Sequence, residues 1–233
     1  MRLTMISDID FGHDGIDGPD GTGDSDGAAD LYVMFHGYGN DEQEMIRIIK
    51  AIDPEADYMT VRGPIGRRYL GGYAWYDSVG WDDARIQSQC SAIGDRIVTL
   101  LDANGLRRRR IVLVGFSQGG YLSYRLLADH PDVFDAAVLL APSFHDDRTV
   151  TPDLGGAGLG GDGDARGDGL GGGGRPAVFL GYGTLDRQIP DRQKEAIRKA
   201  LAGFARVEER TYEGMRHDVC EREFEDIREF LRR

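Results

Sequence analysis

The chain is short of cysteine, lysine, long apolar runs and positive charge, and each shortage removes a class of function. Its two cysteines, Cys90 and Cys220, lie far apart and fit no metal-ligand spacing. Both fall in predicted helices, and the expectation is reduced thiols in a cytoplasmic protein that needs no metal. No stretch approaches the roughly 18 uninterrupted apolar residues of a membrane span. The opening MRLTMISDIDFGHDG has no apolar signal segment and turns acidic at once, so no secretory signal is expected. A formal net charge of −12 argues against nucleic acid or an anionic membrane surface as partner, since phosphate binding wants a basic patch. Lysine occurs only at Lys50, Lys194 and Lys199, against 25 arginines. The one basic run, Arg107-Arg108-Arg109-Arg110, reads as a solvated loop.

What is present is organised around Gly115-Phe116-Ser117-Gln118-Gly119-Gly120. Ile111 to Gly115 is a short, β-branched apolar run that predicts a buried strand. Residues 118–130 predict a helix with Leu122, Leu126 and Leu127 on one face. With 34 glycines in 233 residues, composition alone yields roughly 0.2 matches to Gly-x-Ser-x-Gly, so the flanking strand and helix must carry the weight. In that context the motif is a nucleophile elbow. The strained turn lifts the serine hydroxyl off the sheet, and a Cβ at Gly115 or Gly119 would strike neighbouring backbone. The helix N-terminus behind Ser117 aims free N–H groups at developing negative charge.

The rest of the chain alternates strand and helix. A possible edge strand precedes an Asp/Gly-rich segment within residues 8–30, expected to be a flexible loop; an EF-hand register fails there at Thr22 and Val33. Leu31 to His36 predicts a central strand ending in His36-Gly37-Tyr38-Gly39-Asn40, where enzymes with a nucleophile elbow place a second oxyanion N–H. A helix follows over 41–51, then a strand over 58–61. Tyr69, Tyr73, Trp75, Tyr76 and Trp81 crowd one loop, as expected of a pocket or interface wall. Helix 83–104 carries Ile86, Cys90, Ile93, Ile97 and Leu100 on one face. Strands at 136–140, 177–180 and 207–212 and helices at 191–203 and the C-terminus complete the pattern. Residues 146–175, rich in glycine and aspartate, read as a second flexible insertion, and its Arg166-Gly167-Asp168 as incidental. The alternation predicts a single α/β domain over 1–233, a doubly wound, mostly parallel sheet with helices on both faces.

A serine hydroxyl needs a base, and the base an orienting acid. With a nucleophile elbow the chain order is serine, acid, histidine. His13, His36, His130 and His145 fail that order or their setting; His217, in a loop after the last strand, satisfies it. For the acid, Asp186 follows its strand closely at the carboxyl edge of the sheet, with Asp146, Asp147 and Asp191 as rivals.

The stretches FHGYGND, GGYAWYDS, GFSQGGYLSY, GYGTLDRQIP and YEGMRHDVCEREFEDIREFL resemble the phospholipase/carboxylesterase family of α/β-hydrolases, which includes acyl-protein thioesterases and small bacterial carboxylesterases. The resemblance implies Ser117, Asp186 and His217 as catalytic residues, Tyr38 and Gln118 N–H groups as the oxyanion hole, and a pocket element at Trp75-Tyr76-Asp77 beside Tyr73. Tyr182-Gly183 departs from the His-Gly common before the family's acid. The implied activity is cofactor-free hydrolysis of a small ester or thioester through an acyl-enzyme. Thioesterase or lysophospholipase activity is the alternative, and a non-catalytic binding module the reading from another class. Acyl preference and oligomeric state are not implied.

Overall fold

The computed structural model describes residues 3–9, 30–68, 71–146 and 175–233. Most of the two Asp/Gly-rich segments lies outside the described residues, and with it the EF-hand register, His13, Asp147 and the Arg166-Gly167-Asp168 tripeptide; Tyr69 does too.

The apolar runs become strands. β1 (Thr4–Asp8), β2 (Leu31–Phe35) and β3 (Asp57–Arg62) are joined in part by α1 (Glu42–Ile52), whose N-cap Asp41 accepts from the Gln43 N–H. A small hairpin, β4 (Ile65–Gly66) and β5 (Tyr73–Ala74), interrupts what the sequence presented as an irregular aromatic loop. Then come α2 (Asp83–Ala103), β6 (Ile111–Phe116), α3 (Gln118–Asp129), β7 (Ala136–Leu140), β8 (Ala177–Gly183), α4 (Asp191–Ala202), β9 (Arg206–Tyr212) and α5 (Glu221–Leu231). The seven main strands lie in the order β1-β3-β2-β6-β7-β8-β9. All neighbours are parallel except β1 and β3.

Period-two alternation sends each strand into two cores. Leu31, Val33 and Phe35 of β2 and Ile111 and Leu113 of β6 face one side, where they meet Ile86, Ile93 and Ile97 of α2, Leu122 and Leu126 of α3, and Ile197 of α4. Tyr32, Met34, Val112 and Val114 face the other, against Met45, Ile49 and Ile52 of α1 and Ile227 and Phe230 of α5. The central strands are therefore apolar at every position and the outer helices along one stripe, while α3 is buried over most of its surface, the layering that the alternation predicts.

Register fixes where the chemistry can sit. Phe35 pairs with Gly115, Phe116 with Leu140, Leu140 with Gly181 and Gly183 with Tyr212. The segments following β2, β6, β7, β8 and β9 thus leave the sheet side by side at its carboxyl edge. The other end is held by ions. Arg109 Nη2 lies 2.6 Å from Asp57 Oδ2, Arg110 pairs with Asp30, and Arg107 reaches Asp102 at 3.3 Å and Asp132 at 3.0 Å. The arginine run is thus tied down rather than free in solvent, because its aspartate partners sit on neighbouring connections and need a counter-charge.

Candidate active site

Ser117 sits between β6 and α3 with φ 54° and ψ −113°, one of two described non-glycine residues at positive φ. Such a conformation costs on the order of 1–3 kcal/mol and needs to be over-determined by its surroundings. Those surroundings are visible. The Ser117 N–H donates to Leu140 O at 2.9 Å, and its carbonyl accepts from Tyr121 and Ser143 N–H groups at 3.2 Å each. A Cβ on Gly115 would overlap the Gly119 carbonyl and stand 2.5 Å from Ser123 Oγ; one on Gly119 would overlap Phe35 O and stand 2.7 Å from His36 O. Only glycine lets strand, turn and helix approach this closely. Ala141 is the other positive-φ residue, at 43°. It turns the chain after β7 so that Pro142 faces Gly120 and Ser143 reaches the serine carbonyl. Apart from Pro142, no residue type there marks this turn.

Three expected residues meet. Ser117 Oγ lies 2.9 Å from His217 Nε2, and His217 Nδ1 lies 2.9 Å from Asp186 Oδ2. A carboxylate only accepts, so Nδ1 carries the proton and Nε2 is left to accept from the serine hydroxyl. Asp186 is itself oriented, its Oδ1 accepting from the N–H groups of Gln188 at 2.8 Å and Ile189 at 3.2 Å. The His217 ring is 5.0 Å from that of Phe116. Gly183 permits the loop to come this near, since a Cβ there would stand 2.6 Å from Arg216 O. Tyr182, the departure from the family pattern, donates to Pro142 O at 3.0 Å and touches none of the three. The rival acids are elsewhere: Asp146 is taken by Tyr121 and Arg125, and Asp191 is exposed beside Lys194.

The loop after β2 is pinned from several sides. The Gly37 N–H donates to Glu44 Oε2 at 2.8 Å, and Asn40 also reaches that carboxylate. Gly39 N–H donates to Tyr73 O and Tyr73 N–H to Asn40 O, both at 2.8 Å. His36 is wholly buried; its Nε2 accepts the Gly63 N–H at 2.9 Å and its Nδ1 donates to Gly37 O at 2.7 Å. Burial lowers its pKa, in keeping with a neutral ring that must accept at Nε2. Among the described residues the N–H groups of Tyr38 and Gln118 make no hydrogen bond.

Trp75 and Tyr76, expected in a pocket wall, have no exposed surface. Their polar groups are used inward. Trp75 Nε1 donates to His36 O at 2.8 Å, and Tyr76 shares a 2.9 Å hydrogen bond with Ser143 Oγ. The Gln118 amide spans the pair, accepting the Trp75 N–H and donating to Tyr76 O, each at 3.2 Å. Both residues therefore brace the serine turn and the loop after β2 from behind. Tyr73 is half-buried, beneath Arg62, and Tyr38 is exposed.

A family profile described as Phospholipase/Carboxylesterase matches residues 23–141 and 174–233. The Bacillus subtilis protein MhqD, named as a hydrolase, is 23% identical over 203 residues, 87% of this chain and 92% of that protein. Carboxylesterase from Mesorhizobium loti superposes with a TM-score of 0.70 at 20% identity, over 89% of this chain and 90% of its own. Bacillus cereus carboxylesterase gives 0.67 at 19% identity, over 88% of each chain. Arabidopsis thaliana SOBER1 gives 0.66 at 15%, over 88% of this chain and 98% of its own. At these identities the superpositions carry the fold, an α/β-hydrolase sheet, and no substrate. The profile spans both halves of the chain on either side of residues 142–173, taking in all the strands from β2 to β9, and on that match the chain belongs to the phospholipase/carboxylesterase family of hydrolases.

Proposed function

We propose that the protein hydrolyses carboxylic esters of small to medium acyl groups through an acyl-enzyme on Ser117. The observation that carries this reading is the pair of 2.9 Å hydrogen bonds linking Ser117, His217 and Asp186 in series. As Ser117 Oγ attacks the carbonyl carbon, its proton passes to His217 Nε2, and Asp186 steadies the imidazolium through Nδ1–H. The carbonyl electron pair moves onto oxygen, where the unoccupied N–H groups of Tyr38 and Gln118 receive it. Each such donor is worth roughly 2.7–4 kcal/mol at an oxyanion. His217 then returns the proton to the departing alcohol, and water attacks the acyl-enzyme by the same route in reverse. No step calls on a cofactor.

The test is hydrolysis of p-nitrophenyl esters from acetate to palmitate by wild type and Ser117→Ala, together with labelling by a fluorophosphonate. Serine-dependent turnover that peaks at short chains supports the small-ester reading. Turnover rising with chain length redirects it towards lysophospholipid or acyl-protein thioester substrates. Near-wild-type turnover in Ser117→Ala, or no turnover and no labelling of the wild type, overturns it.

A further inference from the structure

An open cavity of about 530 Å³ lies beside the oxyanion loop, lined by Gly66, Arg67, Arg68, Gly71, Gly72 and Tyr73. Among the described residues no carboxylate lines it. Arg67 packs directly on the loop that supplies the Tyr38 N–H: its guanidinium carbon is 4.2 Å from the Tyr38 ring centroid, and Nη1 fills the space a Cβ on Gly39 would need. Nη1 donates to Gly71 O at 3.3 Å, while Nε is buried with no partner among the described residues. Arg68 is exposed. Neither arginine forms an ion pair among the described residues.

Nearby Arg62 makes the contrast clear. Its charge is spent on Glu42, whose carboxyl is buried; burial alone would raise that pKa, but the Arg62 hydrogen bonds hold it below its ordinary value. Acidic and basic residues number 40 and 28 in this chain, so a counter-ion for two adjacent arginines would be easy to supply from within. Among the described residues none supplies it, and both guanidinium groups border open space. Guanidinium groups present a planar fork suited to carboxylate and phosphate oxygens. A second cavity near the site, of about 230 Å³ beside Phe116, is lined by one arginine, Arg47, and two carboxylates, Glu44 and Asp218, so its described charges do not favour an anion.

Resting on the esterase reading above, we infer that the arginine-lined cavity is a substrate subsite for an anionic oxygen group, a carboxylate or a phosphate carried a few bonds from the scissile carbonyl. The enzyme thereby selects anion-bearing esters over neutral ones of the same size. Tyr38 links the two events, with its N–H at the reacting oxygen and its ring under the Arg67 guanidinium.

The test compares kcat/KM within sets matched in size: the acetyl esters of hydroxypropionate, hydroxyethyl phosphate and hydroxypropionamide, and monoethyl succinate against ethyl succinamate. The first set carries the charge on the alcohol side and the second on the acyl side, and the phosphate and carboxylate arms separate the two anions. Wild type should favour at least one anionic member by about tenfold, the worth of one charge-assisted hydrogen bond. Arg67→Gln/Arg68→Gln should bring that ratio to about one, and added salt should lower it. Arg68→Gln alone, at an exposed side chain that cannot unsettle the fold, should lower it several-fold and Arg68→Lys should restore part. Arg96→Gln, exposed on α2, should leave it unchanged. Ratios near one in wild type for every set, or a preference that survives both glutamines, overturn the inference while leaving the esterase reading standing. If no ester in either set is cleaved in a Ser117-dependent way, the esterase reading fails and takes this inference with it.

Discussion

Glu223 offers a quantitative check on the structure. It lies in the first turn of α5 with no exposed surface, and neither carboxylate oxygen has a hydrogen-bond partner among the described residues. Its neighbour across the interface is Gly181 of β8, where a Cβ would collide with Oε1. Burial, opposed in part by the nearby Cys220 backbone N–H and reinforced by the negative charges of Asp218 and Asp226, pushes its pKa from 4.5 up to about 8. The folded state therefore holds a proton that the unfolded state releases near pH 4.5. Stability conferred by the neutral carboxyl is complete below that point. It declines as pH rises and is lost once pH passes about 8. At roughly 1.36 kcal/mol per tenfold change in proton concentration, the loss is on the order of 5 kcal/mol. Glu223→Gln keeps the shape and removes the titration. Urea unfolding of both proteins between about pH 5 and pH 9 isolates the effect, because every other carboxylate contributes equally to the two curves. The variant should approach wild type near pH 5 and exceed it increasingly towards pH 9. Parallel stability curves would refute the reasoning, and with it the burial of an unpartnered acid.

Other perturbations reach the proposed machinery. Asp186→Asn should lower kcat by about 10⁴ with little change in KM, since the asparagine can stabilise the wrong imidazole tautomer; a loss below tenfold in steady-state kinetics would contradict the relay. Gly119→Ala forces a Cβ into the Phe35 carbonyl, and should cost about 3 kcal/mol or more in denaturant unfolding. Trp75→Phe removes the donor to His36 O and leaves a buried acceptor unpaired, at about 1–3 kcal/mol. Because that carbonyl belongs to the loop proposed to supply the Tyr38 N–H, kcat should fall with stability; unaltered kcat in a destabilised variant would divorce the two roles.

Much of this was legible in the sequence, and the reasons are local. Buried parallel strands must be apolar at every position, so β2, β6 and β7 announced themselves. The elbow was readable because only a short list of residues tolerates its backbone. Chain order then singled out His217, and the place of Asp186 just beyond its strand at the carboxyl edge put it ahead of Asp146, Asp147 and Asp191. What escaped depended on contacts between distant segments. Trp75 looked like a pocket ring because composition cannot show that its N–H is spent on His36. Arg109 looked solvated because Asp57 lies far away in the chain. Glu223 shares the buried stripe of α5 with Ile227 and Phe230, a placement that its acidic side chain does not advertise. Ala141 carries no mark at all: alanine at positive φ is imposed by its neighbours.

The amide of Gln118 has a consequence for how such a protein can change. By grasping Trp75 and Tyr76 with its side chain while its own N–H stays free, this residue welds the serine turn to the aromatic segment. Neither can shift without the other, so drift in either tends to be lethal to both. Arg67 and Arg68 beyond β4, which form no ion pair among the described residues, stand outside that weld. Lineages that acquire new substrates should therefore vary there and stay frozen at the turn, dividing one small domain into a conserved engine and an exchangeable mouth.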